Sequence, residues 1–152
     1  MAFTIASLSL RAGTLALCPL PATIAERRAL AAFAPDLVVS MTESAEMEEL
    51  GAGDLPRWLK AKRLRWVHFP VADFQAPREG ADWSVVSVPA AQLLDWGGTV
   101  MLHCRGGLGR SGMVALRLMI ESGEDPALAL ARLRAARPGA VETEPQLAWA
   151  RS

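Results

Sequence analysis

A thiol, a run of glycines and a guanidinium stand within one short stretch of this chain, His103-Cys104-Arg105-Gly106-Gly107-Leu108-Gly109-Arg110-Ser111-Gly112. If a strand delivers Cys104 and a helix begins near Arg110, the loop between them can aim several backbone N–H groups at one point. Arg105, Gly106, Gly107, Leu108 and Gly109 would then form a nest for a tetrahedral oxyanion. Glycine allows the dihedrals that such a loop needs. The same field favours the thiolate form of Cys104, which is the nucleophile. A thiolate at the loop floor would attack phosphorus in line and form a cysteinyl-phosphate intermediate. Arg110 would hold two equatorial oxygens bidentately and stabilise transition-state charge. Ser111 is placed to donate its hydroxyl to the sulfur and ease its departure in the second step. The competing reading is a structural glycine turn around an inert, buried cysteine.

A phosphoester leaving group also needs a proton, and a carboxylic acid on a mobile loop supplies it. Residues 70–82 contain Pro70, Pro77, Gly80, Asp73 and Asp82 and read as a loop. Asp73 is the expected acid. Asp82 competes for that role but also suits an N-cap of the next helix. His103 on a buried strand reads as a satisfied core residue and not as a base, and His68 reads as sheet packing. Phe74 is expected to line the pocket beside Asp73. Arg134 and Arg137 read as solvated, with Arg137 able to support the site. The tryptophans Trp58, Trp66, Trp83, Trp96 and Trp149 read as core or interface.

Two cysteines, Cys18 and Cys104, and two histidines make neither a disulfide framework nor a four-ligand zinc site. No metal and no cofactor is expected. A thiol-dependent enzyme in a reducing compartment fits better. Sixteen basic residues balance sixteen acidic ones, which argues against a nucleic-acid partner or a polybasic membrane anchor. The first ten residues lack a basic run, and Arg11 interrupts their apolar pattern, so no signal peptide or membrane span is expected and cytoplasm is the default. A hydrophobic fraction of 51% in 152 residues fits one folded domain over 1–152.

The elements that must position this chemistry follow from periodicity. Phe3–Leu10 alternates and suits a strand; Gly13 makes a turn, and residues 14–17 pair back. Thr23 with Glu26 predicts a capping box for a helix through Ala34, ended by Pro35. Asp36–Met41, Arg65–Phe69 and Thr99–His103 read as strands, and 45–50 and 55–63 as helices. Trp83–Trp96 reads as helical despite Pro89, which sits badly mid-helix, and Ser111–Glu121, Pro126–Arg137 and Thr143–Trp149 as the closing helices. The expected class is α/β: a central, mostly parallel sheet of about five strands flanked by helices. Ligands gather beyond the carboxyl ends of such strands, where the loop after Leu102 lies.

The pattern His-Cys-x-x-Gly-x-Gly-Arg-Ser-Gly over residues 103–112 resembles the active-site loop of the protein tyrosine phosphatase superfamily, dual-specificity type. Its particular form is similar to the cyclin-dependent-kinase-associated phosphatase group, as are Leu17-Cys18-Pro19-Leu20-Pro21 and Phe69-Pro70-Val71-Ala72-Asp73. The resemblance covers nearly the whole chain and implies the cysteine phosphatase fold. It implies that Asp73, in Asp-x-x-x-Pro, is the general acid and that His103 orients the loop and tunes the thiol. Gln146 resembles a late glutamine that faces the phosphate loop and positions water, against a packing role on its helix. Cys18 resembles a residue lying near the loop, which would make it a redox partner for Cys104; the alternative is a small core residue. The function implied is hydrolysis of phosphotyrosine, phosphoserine or phosphothreonine in proteins. A phosphatase for small phosphate esters or phosphoinositides is the alternative, made weaker because Arg105 is the only cation between positions 105 and 109. A phosphopeptide-binding pseudophosphatase is a further one.

Overall fold

The computed structural model describes residues 2–152. The chain opens with a hairpin of β1 (Ala6–Leu10) and β2 (Gly13–Cys18). The turn falls on Arg11, whose φ is 53°, and Gly13 instead opens β2. A Cβ at Gly13 would collide with the Gly98 carbonyl oxygen, so the small residue there answers a close approach of two backbones. Then follow α1 (Ile24–Ala32), β3 (Leu37–Ser40), α2 (Ser44–Glu49), α3 (Leu55–Ala61) and β4 (Trp66–His68). The second half holds α4 (Ser84–Asp95), β5 (Thr99–His103), α5 (Gly109–Glu121), α6 (Pro126–Ala136) and α7 (Glu144–Arg151).

The five strands form one sheet in the order β1-β2-β5-β3-β4, with only the β1–β2 pair antiparallel. This is the expected mostly parallel α/β sheet. Its register aligns Cys18, His103, Ser40 and His68 in one row across the carboxyl end of the parallel strands. The glycine-rich stretch after His103 therefore leaves the sheet from its middle strand.

Alternation on the strands divides the core. Ala16, Cys18, Val38 and Met101 pack with Leu30, Met47, Leu55 and Leu59 from α1, α2 and α3. Leu15, Leu17, Val39, Val100 and Leu102 pack on the other face with α4, α5, α6 and α7. On that face α5 is buried along nearly its whole first two turns, from Gly109 to Leu116. Phe69, Trp83 and Trp149 form an aromatic cluster with centroids 5.6 and 5.0 Å apart in successive pairs. Trp96 stands apart, 90% exposed.

Helix boundaries follow local chemistry. Thr23 and Glu26 form the predicted capping box of α1, but the helix stops at Ala32 because Ala34 is left-handed, φ 57°. Helix α4 runs unbroken through Pro89, as a helix over this stretch was expected to despite the proline. The N–H that proline lacks would have met the carbonyl of Val85, and Val85 is exposed, so water can take that carbonyl. No described helix is long and apolar enough to cross a membrane.

Candidate active site

Beyond β5 the chain turns through residues 104–108 into α5. The first intrahelical bond is Gly112 N–H to the Leu108 carbonyl, 2.8 Å. Among the described residues, no backbone N–H from Arg105 to Ser111 donates to a protein acceptor. A run of free amides ahead of a helix is an anion site. Cys104, 3% exposed, lies at the floor of a pocket of about 370 Å³. Arg105, Gly106, Leu108, Asp73, Phe74 and Glu142 line it with Cys104.

The loop is held from outside. Leu20 N–H donates to the Arg105 carbonyl at 3.0 Å. Arg137 donates to the carbonyls of Gly106 (2.8 Å) and Gly107 (3.1 Å), so it braces the loop from behind and is not a solvated side chain. Carbonyls tied outward leave amides facing inward. Gly107 has φ 70°, and a Cβ there would stand 2.6 Å from the carbonyl carbon of Cys18. A Cβ at Gly109 would collide with Glu142 Oε1. Gly107 is thus required by both conformation and space, whereas at Gly109 it is the Glu142 side chain that would have to give way.

Arg110 is 1% exposed. Its Nη1 and Nη2 donate to the two carboxylate oxygens of Glu46, at 2.8 and 2.7 Å, and Nη1 also donates to the Val71 carbonyl at 2.9 Å. Asp73 Oδ1 lies 3.2 Å from Nη2. The Nε–H has no partner among the described residues. The terminal edge of the fork is thus anchored to α2, and the Nε/Nη2 side edge is the one left for an oxyanion. Burial opposes the Arg110 charge, but Glu46, Cys104 and Asp73 outweigh it and hold the group above its ordinary range. Burial would likewise raise the Glu46 carboxyl, but hydrogen bonds and charge from Arg110 hold it below the usual range.

His103 is fully buried, and burial pushes its pKa down to about 4, so the ring is neutral near pH 7. Its Nε2 bonds Ser40 Oγ, and its Nδ1 lies 3.2 Å from the Cys104 carbonyl. Trp66 Nε1 donates to the same Ser40 oxygen at 2.8 Å. One tautomer satisfies every link: Trp66 donates to Ser40, Ser40 to His103 Nε2, and His103 Nδ1–H to the Cys104 carbonyl.

Ser111 Oγ is buried without a partner among the described residues. Gln146 is fully buried. Its Oε1 accepts from Glu142 N–H (2.9 Å) and Thr143 N–H (3.2 Å), forming a capping box with Thr143, and its Nε2 donates to the Gln75 carbonyl (3.3 Å). It therefore ties the start of α7 to the Asp73 loop. Thr143 Oγ1 adds a bond to the Phe74 carbonyl at 3.1 Å. Phe74 is left-handed, φ 64°, and 58% exposed at the pocket rim. Asp82 lies outside this pocket and accepts from Ser84 N–H and Oγ at 3.1 and 2.5 Å just ahead of α4, whose N-cap is Trp83 and not Asp82 as expected. Cys18 is a free, fully buried thiol on the α1–α3 face of the sheet.

Sequence reasoning did not find Glu46, Ser40 or Glu142. Glu46 stands among Glu43, Glu48 and Glu49, and nothing in the sequence sets it apart from them. Ser40 carries no signal until the register sets it beside His103.

A buried cysteine inside an amide-lined loop, above an anchored arginine, on this sheet, defines a cysteine-based phosphatase. The family model described as PTP-SAK, Swiss Army Knife protein, DSP-PTPase phosphatase domain, matches residues 6–149. No curated protein matches the sequence. Among solved structures, a kinase associated phosphatase with serine in place of its catalytic cysteine superposes with a TM-score of 0.85 at 22% identity, over 99% of this chain and 93% of its own. Tk-PTP in the active form gives 0.72 at 28% identity, over 90% and 88%. PTPMT1 in complex with PI(5)P gives 0.68 at 17% identity, over 95% and 91%. The chain belongs to the PTP-SAK family of the dual-specificity-type protein tyrosine phosphatases, and it is a phosphoric monoester hydrolase.

Proposed function

We propose that residues 1–152 act as a single catalytic domain that removes phosphate from phosphotyrosine, phosphoserine or phosphothreonine in proteins, in a reducing compartment such as the cytoplasm. The observation that carries this reading is Cys104 inside a loop whose amides from Arg105 to Ser111 are free, beside the unpartnered Nε–H of Arg110. The Cys104 thiolate attacks phosphorus, and the bond to the leaving oxygen breaks as Asp73 gives that oxygen its proton. The side edge of Arg110 and the loop amides hold the equatorial oxygens. Water then attacks the cysteinyl phosphate and passes its proton to Asp73. The phosphorus–sulfur bond breaks, and Ser111 Oγ–H donates to the departing sulfur. Gln146 acts through the Glu142–Thr143 turn and the Asp73 loop that its amide joins. His103 orients the loop through the Cys104 carbonyl.

A phosphoinositide reading draws on the likeness to PTPMT1. The wall residues oppose it. Asp73 and Glu142 line the pocket and, among the described residues, Arg105 is the one lining cation besides the Arg110 clamp, which suits a substrate with one phosphate and disfavours one with several. The test is a kinetic comparison of phosphotyrosine, phosphothreonine and phosphoinositide substrates, with Cys104→Ser as the control. Phosphopeptides are expected to be preferred and Cys104→Ser to be inactive while still binding tungstate. Arg110→Lys is expected to lose most activity, because a point charge does not replace a planar fork. Preference for a multiply phosphorylated inositide would overturn the protein substrate, and turnover by Cys104→Ser would overturn the mechanism.

A further inference from the structure

A second concavity, about 530 Å³ in volume, lies between α3 and the start of β4. Because β3, β4 and β5 are parallel, Arg65 and Trp66 mark the amino end of the sheet, whereas Cys104 lies beyond its carboxyl end. The rim of the concavity carries Arg57, Lys60, Arg63 and Arg65, and its floor is Pro56, Leu64 and Trp66. With Lys62, five of the chain's sixteen basic residues fall between positions 57 and 65, and no acidic residue is among them. Among the described residues none of these five forms an ion pair, whereas Arg11, Arg27, Arg110, Arg117 and Arg132 each hold a carboxylate. In a chain of zero formal net charge this is a local concentration of unneutralised positive charge around an apolar floor.

Such a groove selects an anionic ligand, and three features choose its class. The large exposed hydrophobics, Ile24, Phe74, Val85, Val88, Trp96 and Leu128, all lie elsewhere, so the patch has no side chain to bury in a bilayer. Its lining tryptophan, Trp66, stacks on His68 at 5.1 Å, and the neighbouring Trp58 has Arg27 and Lys62 over its ring at 5.8 and 5.9 Å. They offer no open platform for nucleobases. Strand β4 is an edge strand, and its outer N–H and C=O groups can pair with an extended backbone.

We propose that the α3–β4 groove is a docking site for an acidic polypeptide segment. The segment lies extended along β4, its carboxylates meet Arg57, Lys60, Arg63 and Arg65, and an apolar side chain rests on Leu64 and Trp66. Binding there leaves the catalytic pocket open and does not depend on the reaction assigned to it.

The test is calorimetric titration of the full chain with a synthetic, unphosphorylated peptide in which Asp and Glu alternate with Leu and Val. Saturable binding is expected, weakening as salt rises because the contacts are exposed charges. The double variant Arg57→Glu, Lys60→Glu is expected to bind at least about tenfold more weakly, a loss of roughly 1.4 kcal/mol. Its hydrolysis of a small aryl phosphate should stay at the wild-type rate, since both side chains are exposed and far from Cys104. A melting curve confirms that the variant is folded. Absence of peptide binding by the wild type, or equal binding by the variant, overturns the proposal. So does tighter binding of phosphatidylserine vesicles or of a single-stranded oligonucleotide than of the peptide.

Discussion

Asp73 Oδ1 lies 3.2 Å from Arg110 Nη2 and accepts from the Phe74 N–H at 3.0 Å. The expected proton donor and the expected phosphate clamp thus touch before any substrate enters. The Arg110 side chain is 1% exposed and that of Asp73 36%, so the aspartate is the partner free to move. On the proposed mechanism, a phosphate oxygen arriving at Nη2 would take the place of the carboxylate, which would then turn toward the leaving oxygen.

Asp73→Asn is therefore expected to slow phenyl and alkyl phosphates by about 10²–10⁴-fold and esters with acidic leaving groups far less. A good leaving group departs without protonation. Affinity for inorganic phosphate should hold or rise, because a competing carboxylate charge is gone from Arg110. Asp82→Asn should leave both rates near wild type, since Asp82 is committed to Ser84 at the start of α4. Steady-state kinetics on paired esters checks this; equal losses on both would remove Asp73 from the acid role.

Glu46 grips Arg110 through both carboxylate oxygens, and the two side chains are only 16% and 1% exposed. Breaking such a pair leaves a buried charge without its partner, a loss of about 3–5 kcal/mol in a fully buried site and less here, where Glu46 keeps some water. Glu46→Gln is expected to lower both stability and kcat/KM, the latter by about 10²-fold if the fork shifts by an ångström. Denaturant melts and kinetics measure the two. Wild-type kcat/KM in a folded Glu46→Gln protein would show that the loop positions Arg110 alone.

The parts of this site that were legible in the sequence are those whose reason is local. A strand, a glycine loop and a helix start are contiguous, so His103 to Gly112 could be read directly, and Asp73 stood in a loop marked by prolines. Glu46 and Ser40 come from distant elements and reach the loop only through the strand order that sets β3 between β4 and β5, while Arg137 was legible only as a side chain able to support the site. The fold was legible for the same reason: each strand and most helices carry their own period. Pro89 lowers helix propensity locally, but burial of Val86, Ala90 and Leu94 along the same face keeps α4 whole.

His103 links stability to pH. Its folded pKa of about 4 lies below the ordinary value near 6.5, so the unfolded chain takes up a proton first as pH falls. The sign follows: this contribution is fully present above about pH 6.5, is lost progressively down to about pH 4, and is constant below that. A difference of this size corresponds to roughly 3 kcal/mol. Urea melts of wild type between pH 7 and pH 4.5 should show the decline, and His103→Gln should show a shallower one from a lower starting point. Identical slopes would mean that other groups set the acid limit.

Cys18 ends β2 opposite His103, and its side chain packs with Ala16, Leu20, Leu30, Met47 and Met101, on the α1–α3 side of the sheet. Cys104 belongs to the packing cluster on the other side. Burial first, and then the charge at Cys104, push the Cys18 thiol far above its ordinary range. Thiol–disulfide chemistry runs through the thiolate, so a thiol held protonated is a poor trap for a sulfenic acid formed at Cys104. Packing is the role that these surroundings favour. Cys18→Ala is expected to cost about 1 kcal/mol of stability, the loss of one small buried group. After mild peroxide, wild type and Cys18→Ala should lose activity at similar rates and regain it equally with a thiol reductant. Mass spectrometry should find the sulfenic acid adduct on Cys104 in both and no linked peptide. A Cys18–Cys104 peptide in the oxidised wild type, together with poorer recovery of Cys18→Ala, would instead make Cys18 the redox partner, reached by movement of the segment that follows β2.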